Sequence, residues 1–249
     1  MILLKSEREV RYMREAGMVV ALALEAVGKV VEPGITTQEL DRVAEKTIRE
    51  QGAKPAFKGL YGFPASICVS INCEVVHGIP GSRKLAEGDI VSVDCGATLG
   101  GFNGDSAVTF TVGTVADETQ KLVDETQNAL YKGIAEAVAG NKLGAISEAI
   151  QKHAEQAGFS IVREYVGHGI GRSVHEEPEV PNYGFAKRGP LLTEGMVLAI
   201  EPMVNLGLRS VKVAQDGWTV VTRDGKPSAH FEHTVAITSN GPEILTRLA

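Results

Sequence analysis

Asp94 follows the apolar run Ile90-Val91-Ser92-Val93, and Glu201 follows Met196-Val197-Leu198-Ala199-Ile200. Both runs belong to a longer internal match. Residues 85–94 align position by position with 192–201, and 105–111 align with 232–238, so Asp105 and Glu232 also share an offset. One acid at a strand end is ordinary turn chemistry, but four acids at matched offsets, in two matches of the same order, mark a repeat. If the runs pair antiparallel, Asp94 closes one strand where Asp105 opens the next, and the two become neighbours. The same logic brings Glu201 to Glu232, although thirty residues intervene. A pseudo-two-fold axis would gather both pairs. Four gathered carboxylates repel one another and lose hydration, at a cost of roughly several kcal/mol per ion. Two divalent cations would balance them.

Histidines in glycine- or proline-flanked loops strengthen that reading. His168 lies in Gly167-His168-Gly169-Ile170-Gly171, where the glycines allow backbone and substrate to approach closely. His175 follows in His175-Glu176-Glu177-Pro178, and His77 in His77-Gly78-Ile79-Pro80. His230 and His233 flank Glu232 and could orient it from behind. His153 sits in a helical pattern and carries no such signal. Several alternatives fail on spacing. The His175 motif has no second histidine four residues on, and Pro178 would break a zincin helix. The 167–171 glycines lack dinucleotide-loop spacing. A phosphate loop and a Gly-x-Ser-x-Gly elbow are absent from the sequence.

The elements that must position these residues follow from periodicity. Ser6 and Glu9 form a capping-box pattern ahead of Val10, Met13, Val20, Leu24, Val27 and Val31, with Pro33-Gly34 as the stop. Thr36 and Glu39 open a second helix that ends at Gly52. A third runs from Asp117 to Gly140, with Leu122, Thr126, Leu130, Ile134 and Val138 inward, and a fourth from Leu143 to Ala157. Strands are expected at 67–71, 90–95, 107–112, 161–165, 197–200, 211–214, 219–222 and 234–238, with Asp216-Gly217 as a hairpin turn. Each half therefore has two helices, then a strand ending in a carboxylate and a strand beginning with one. An α+β domain of two related halves is the expectation, one catalytic unit over 1–249 with repeats at roughly 6–115 and 116–245.

Composition narrows the class. The 249 residues are 43% hydrophobic and 22% charged, which excludes disorder and collagen-like repeats. A net charge of −6 supplies no basic field for nucleic acid or anionic membrane. Cys68, Cys73 and Cys95 are too few for a disulfide framework. The first ten residues do not read as a signal peptide, and no apolar run approaches the ~20 residues of a membrane-spanning helix, so a cytoplasmic location is expected.

Five motifs occur together in the order seen in type I methionine aminopeptidases. They are Val93-Asp94-x-Gly96, Gly104-Asp105-Ser106, the 167–171 glycine run with His175-Glu176, Ala199-Ile200-Glu201-Pro202 and Phe231-Glu232-His233-Thr234. The sequence resembles that family along essentially its whole length. The resemblance implies the pita-bread fold, two pseudo-symmetric halves about a central antiparallel sheet flanked by helices. It implies two divalent metal ions, with Asp94 on one, His168 and Glu201 on the other, and Asp105 and Glu232 bridging both. His77 and His175 would contact substrate. The activity implied is removal of the initiator methionine from nascent polypeptides when the next residue is small. The interval from Glu201 to Glu232 is too short for the insertion of type II enzymes, and the short N-terminus points to the bacterial type. Transient ribosome proximity and a monomer are the expected associations, without direct contact to nucleic acid or membrane.

The chemistry expected is attack by a hydroxide bridging the two metals. Co, Mn, Fe or Zn would all suit an oxygen-rich set with one imidazole. Glu201 would accept the water proton and pass it to the leaving amine, His175 would stabilise the oxyanion, and His77 would hold the substrate backbone. Cys68 and Trp218 match the family's methionine pocket. Leu60 and Phe63 stand where the family often has tyrosines, and Val174 where it often has an aromatic, so Phe63, Cys68 and Trp218 form the expected pocket. The competing readings are an X-Pro aminopeptidase or prolidase of the same fold, and a non-catalytic binding protein built on it.

Overall fold

Two reciprocal caps start the chain's first two helices, and the computed structural model, which describes residues 1–248, shows both complete. Ser6 and Glu9 cap α1 (Glu7–Gly28), and Thr36 and Glu39 cap α2 (Thr37–Glu50). The second pair is α3 (Asp117–Ala135) and α4 (Gly144–Gln156). Between the pairs lie β1 (Lys54–Pro55), a 3₁₀ turn at Leu60–Gly62, β2 (Ile67–Ile71), β3 (Glu74–Val76), β4 (Ile90–Leu99) and β5 (Phe102–Thr111). After α4 come β6 (Ser160–Ile161), β7 (Gly167–Gly169), β8 (Glu176–Val180), β9 (Val197–Ile200) and β10 (Met203–Asn205). The chain then forms β11 (Val211–Val213), β12 (Val220–Thr222), β13 (Ser228–His230), β14 (Glu232–Thr238) and β15 (Gly241–Ile244).

Nine strands make one antiparallel sheet in the order β1-β4-β5-β14-β9-β7-β8, with β2 beside β4 and β15 beside β14. Strand alternation divides its residues. In β4, Val91, Val93, Cys95 and Ala97 enter a core with Leu24, Leu40 and Ile48 of α1 and α2. Ser92, Asp94 and Gly96 therefore face the other side. The second half repeats this, with Leu198, Ile200, Val235 and Ile237 packed on Leu122, Leu130, Ile146 and Ile150 of α3 and α4.

The pseudo-two-fold axis passes between β5 and β14. Ala107, two residues after Asp105, lies opposite Glu232. Thr234, two residues after Glu232, grips the Asp105 main chain, accepting from its N–H at 3.0 Å and donating to its carbonyl at 2.8 Å. The symmetry breaks by two residues one strand further out. Asp94 stands opposite Ala107 and Asp105 opposite Gly96, a diagonal pair, whereas Ile200 opposite His233 puts Glu201 level with Glu232.

Several boundaries differ from the sequence expectation. Asp94 and Asp105 lie inside their strands, because Gly100 and Gly101, both at positive φ, close a two-residue turn that extends the hairpin for ten rungs. The expected strands at 90–95 and 107–112 leave residues 96–99 and 102–106 out of this hairpin. The third helix stops at Ala135, and Val138 is 37% exposed instead of inward. The first stops at Gly28, where a Cβ would strike the Phe110 ring. The run 161–165 contributes only the two-residue β6. Gly167–Gly169 is a strand, not a loop, because a Cβ at Gly167 or Gly169 would collide with the carbonyls of Ala199 or Glu177. The Asp216-Gly217 turn is present between β11 and β12, with Asp216 Oδ1 accepting from the Trp218 and Thr219 N–H groups. Among the described residues no helix is long and apolar enough to cross a membrane.

Candidate active site

Register alone assembles the acids. One row across the sheet reads Cys68, Asp94, Ala107, Glu232, and continuing β9 by one residue adds Glu201. The next row holds Gly96, Asp105, Thr234, Ala199 and His168. All five ligand-type side chains therefore stand on the face turned away from the helices. Donor atoms of Asp105, His168 and Glu232 lie within 4.8 Å of one another. The Asp94 and Asp105 carboxyl groups adjoin within hydrogen-bonding reach. Glu201 Oε1 is 3.5 Å from His168 Nε2, and Glu201 Oε2 is 3.8 Å from His230 Nε2.

The electrostatics of this cluster call for a cation. Asp105 and Glu232 are 3% and 2% exposed, and among the described residues no lysine or arginine lines the cavity they floor. Burial, reinforced for three of the four by neighbouring carboxylates, pushes Asp105, Glu201 and Glu232 far above the usual range and Asp94 to about 7. Asp94 Oδ1, Asp105 Oδ1 and Glu232 Oε1 are buried without a hydrogen-bond partner among the described residues. Such orphaned oxygens are expensive unless a metal takes them. His168 is prepared for the same partner. Its Nδ1 lies 2.9 Å from the Gly169 carbonyl, which can only accept, so the proton sits on Nδ1 and Nε2 stays bare. Burial, with His175 adding to it, lowers its pKa to about 4, so the ring is neutral and able to bind metal.

Over this floor lies a cavity of about 230 Å³. Phe63, Cys68 and Trp218 form its apolar end with Phe57. The Phe63 and Trp218 rings meet edge to face, centroids 5.2 Å apart. Burial, then the charge of Asp94, raises the Cys68 thiol, which stays protonated and packs as a small apolar group. His77 and His175 stand at the mouth, where a second, open cavity of about 460 Å³ begins, lined by Tyr165, Met203, Glu177 and Glu179. The sequence-predicted residues are therefore together, with one exception. His233 points to the helix side of β14, its Nδ1 2.9 Å from Thr246 Oγ1, and does not face the acids.

Tyr61 and Phe57 were missed. Tyr61 adopts φ of +50°, is 76% exposed and stacks on His175 with centroids 5.7 Å apart. Gly59 and Gly62, both at positive φ, were the available signal for a tight loop here.

Comparison with known proteins gives one consistent result. The profile of metallopeptidase family M24 matches residues 11–239. The methionine aminopeptidase of Clostridium perfringens is 58% identical over 99% of this chain and 99% of its own length. The crystal structure of the Thermotoga maritima methionine aminopeptidase superposes with a TM-score of 0.98, at 48% identity and complete coverage of both chains. Prolidase from Pyrococcus furiosus, 22% identical, shares the fold alone, with a TM-score of 0.80 over 99% of this chain and 66% of that one.

Proposed function

We propose, for a chain that belongs to metallopeptidase family M24 and to its methionine aminopeptidases, that Asp94, Asp105, His168, Glu201 and Glu232 hold two divalent cations beside a methionine pocket of Phe63, Cys68 and Trp218. The fold is the pita-bread fold, and the enzyme is a metallo-aminopeptidase that removes N-terminal methionine. The observation that carries the site assignment is the set of three buried carboxylate oxygens, without partners among the described residues, on the floor of a cavity with an apolar end.

Asp94 would bind one ion and His168 with Glu201 the other, Asp105 and Glu232 serving both. Co, Mn, Fe or Zn suits this donor set. When bound, divalent metal supplies Lewis acidity, which activates water at neutral pH and polarises a carbonyl. The protein does the rest. Glu201 takes the proton released by the attacking water and returns it to the departing amine. His175 donates to the oxygen that becomes negative, and His77, held at φ of +62°, anchors the substrate backbone. The thioether packs against Phe63 and Trp218, where sulfur–aromatic contact adds to burial. The open cavity beyond His77 and His175 takes the remaining peptide, and a small second residue is the preference that the likeness to methionine aminopeptidases implies. Residues 1–249 act as one catalytic domain, a monomer that meets nascent chains near the ribosome.

The test is a peptide panel on native and chelated enzyme. Met-Ala-Ser should be cleaved far faster than Met-Lys-Ser, Lys-Ala-Ser or Lys-Pro-Ser. Chelation should abolish turnover and Mn or Co restore it. Preference for Lys-Pro-Ser would move the specificity to X-Pro peptidases, and binding without turnover of any member would mark a non-catalytic relative.

A further inference from the structure

His230 closes β13 and is 1% exposed, yet among the described residues neither ring nitrogen has a hydrogen-bond partner. Its backbone is fixed. Thr109 Oγ1 accepts from the His230 N–H at 2.9 Å and donates to the His230 carbonyl at 2.8 Å, so one hydroxyl grips both ends of the residue. Met203 lies opposite it on β10. The ring is thereby aimed at Glu201, with Nε2 3.8 Å from Oε2. The other carboxylate oxygen, Oε1, faces His168 Nε2 at 3.5 Å, and Asn182 Nδ2 donates to the Glu201 carbonyl at 3.0 Å. Glu201 thus has an imidazole on each side, and only one of the two belongs to the proposed metal set.

We propose that His230 is a positioning residue whose Nε2–H donates to Glu201 Oε2 and fixes the plane of the carboxylate that moves the proton. This rests on the assignment of Glu201 as proton acceptor. A carboxylate only accepts, so the bond requires the proton on Nε2. The gap of 3.8 Å exceeds a hydrogen bond and is too narrow for an intervening water. Closing it takes a movement of about 1 Å, and catalytic hydrogen bonds commonly tighten only with substrate in place. With Oε2 held, Oε1 stays directed at the His168 side. Without it, the carboxylate is free to rotate out of line with water and leaving amine.

The experiment compares His230→Leu and His230→Gln with the wild-type enzyme, all loaded with Mn. It reads kcat and KM on Met-Ala-Ser, Mn affinity by calorimetry, and thermal midpoint. His230→Leu should lower kcat about 10- to 100-fold, as loss of an outer-sphere partner does. KM and Mn affinity should stay within about twofold and the midpoint should not fall, since an apolar side chain replaces an unsatisfied ring. His230→Gln, whose amide still donates, should recover most of the rate. Equal damage in both variants, or wild-type kcat in His230→Leu, would overturn the positioning role. A tenfold loss of Mn affinity in His230→Leu would also overturn it, since the ring would then act on metal retention and not on the proton transfer. Absence of methionine release by the wild-type enzyme would instead strike the underlying function.

Discussion

His168 and His175 meet edge to face with centroids 4.5 Å apart, yet their surroundings give them different tasks. His168 has its Nδ1 proton committed to the Gly169 carbonyl and its bare Nε2 among the carboxylates, whereas His175 lines the mouth under Tyr61. His168→Ala and Glu232→Ala should therefore weaken Mn binding, measured by calorimetry. His175→Ala should leave the metal bound and lower kcat about 100-fold, the usual worth of one donor to a developing oxyanion. The opposite pattern would reverse the two roles. The ligand-type residues were legible in the sequence because only a few side chain types do this chemistry and a repeat placed four of them at matched offsets. Tyr61 and Phe57 were not legible, since the segment around them has no period and reaches the cavity only through tertiary packing. His230 was visible as a neighbour of Glu232, but its direction toward Glu201 depends on the Thr109 clamp from another strand.

Elements, more than single residues, decide where these groups stand. The helix starts read from the Ser6 and Thr36 caps stand, whereas the ends of the first and third helices come earlier than their periodicity suggests. The central hairpin reads short in the sequence because its glycines look like loop, although Gly96 and Gly104 have a packing reason and Gly100 and Gly101 form the turn. Gly104 is one such case. A Cβ there would come within 2.7 Å of the Gly17 nitrogen on α1, so helix and strand touch backbone to backbone. Gly104→Ala should cost about 1–3 kcal/mol through overpacking, read by urea unfolding. On α2, Asp41 Oδ1 accepts from the Ser66 and Ile67 N–H groups, and Glu45 Oε2 accepts from Ser66 Oγ and Lys58 Nζ, tying the pocket segment to the helix. The Lys58 bond, with Arg49 and Ser66, holds the Glu45 pKa at about 2 against an ordinary 4.5. A depressed carboxylate stabilises the fold above its unfolded pKa and ceases to do so as pH falls through the folded one. Wild type should thus exceed Glu45→Gln in stability above about pH 4.5, and the gap should close on acidification toward about pH 2. A gap unchanged from neutral to strongly acid conditions would show that the ionised form adds nothing.

At the scale of the whole molecule, the first half supplies Asp94 and Asp105 while the second supplies His168, Glu201 and Glu232, so a bound cation couples the halves through the sheet centre. That coupling has a sign that pH can reveal. Burial raises Asp94 to about 7 and Asp105, Glu201 and Glu232 well above normal, so the metal-stripped native state keeps protons that the unfolded chain has released. Stability from these groups is whole below the unfolded pKa values, near 4, and is lost as pH climbs through the folded ones, by about 1.4 kcal/mol per pH unit for each proton of difference. Buried His168, His230 and His233, lowered to about 4, 3 and 4, act oppositely, weakening the native state below about pH 6.5 and leaving it unaffected above. Above about pH 6.5 the carboxylates therefore govern this linkage. Chelated protein should lose thermal stability from about pH 6.5 to 8.5, whereas Mn-loaded protein should hold it, because bound cation takes the place of those protons. The midpoint difference between the two forms should widen across that range in a fluorescence melt. A difference that narrows with rising pH would mean that the acids do not share one cation site, since only a common site exchanges their protons for metal.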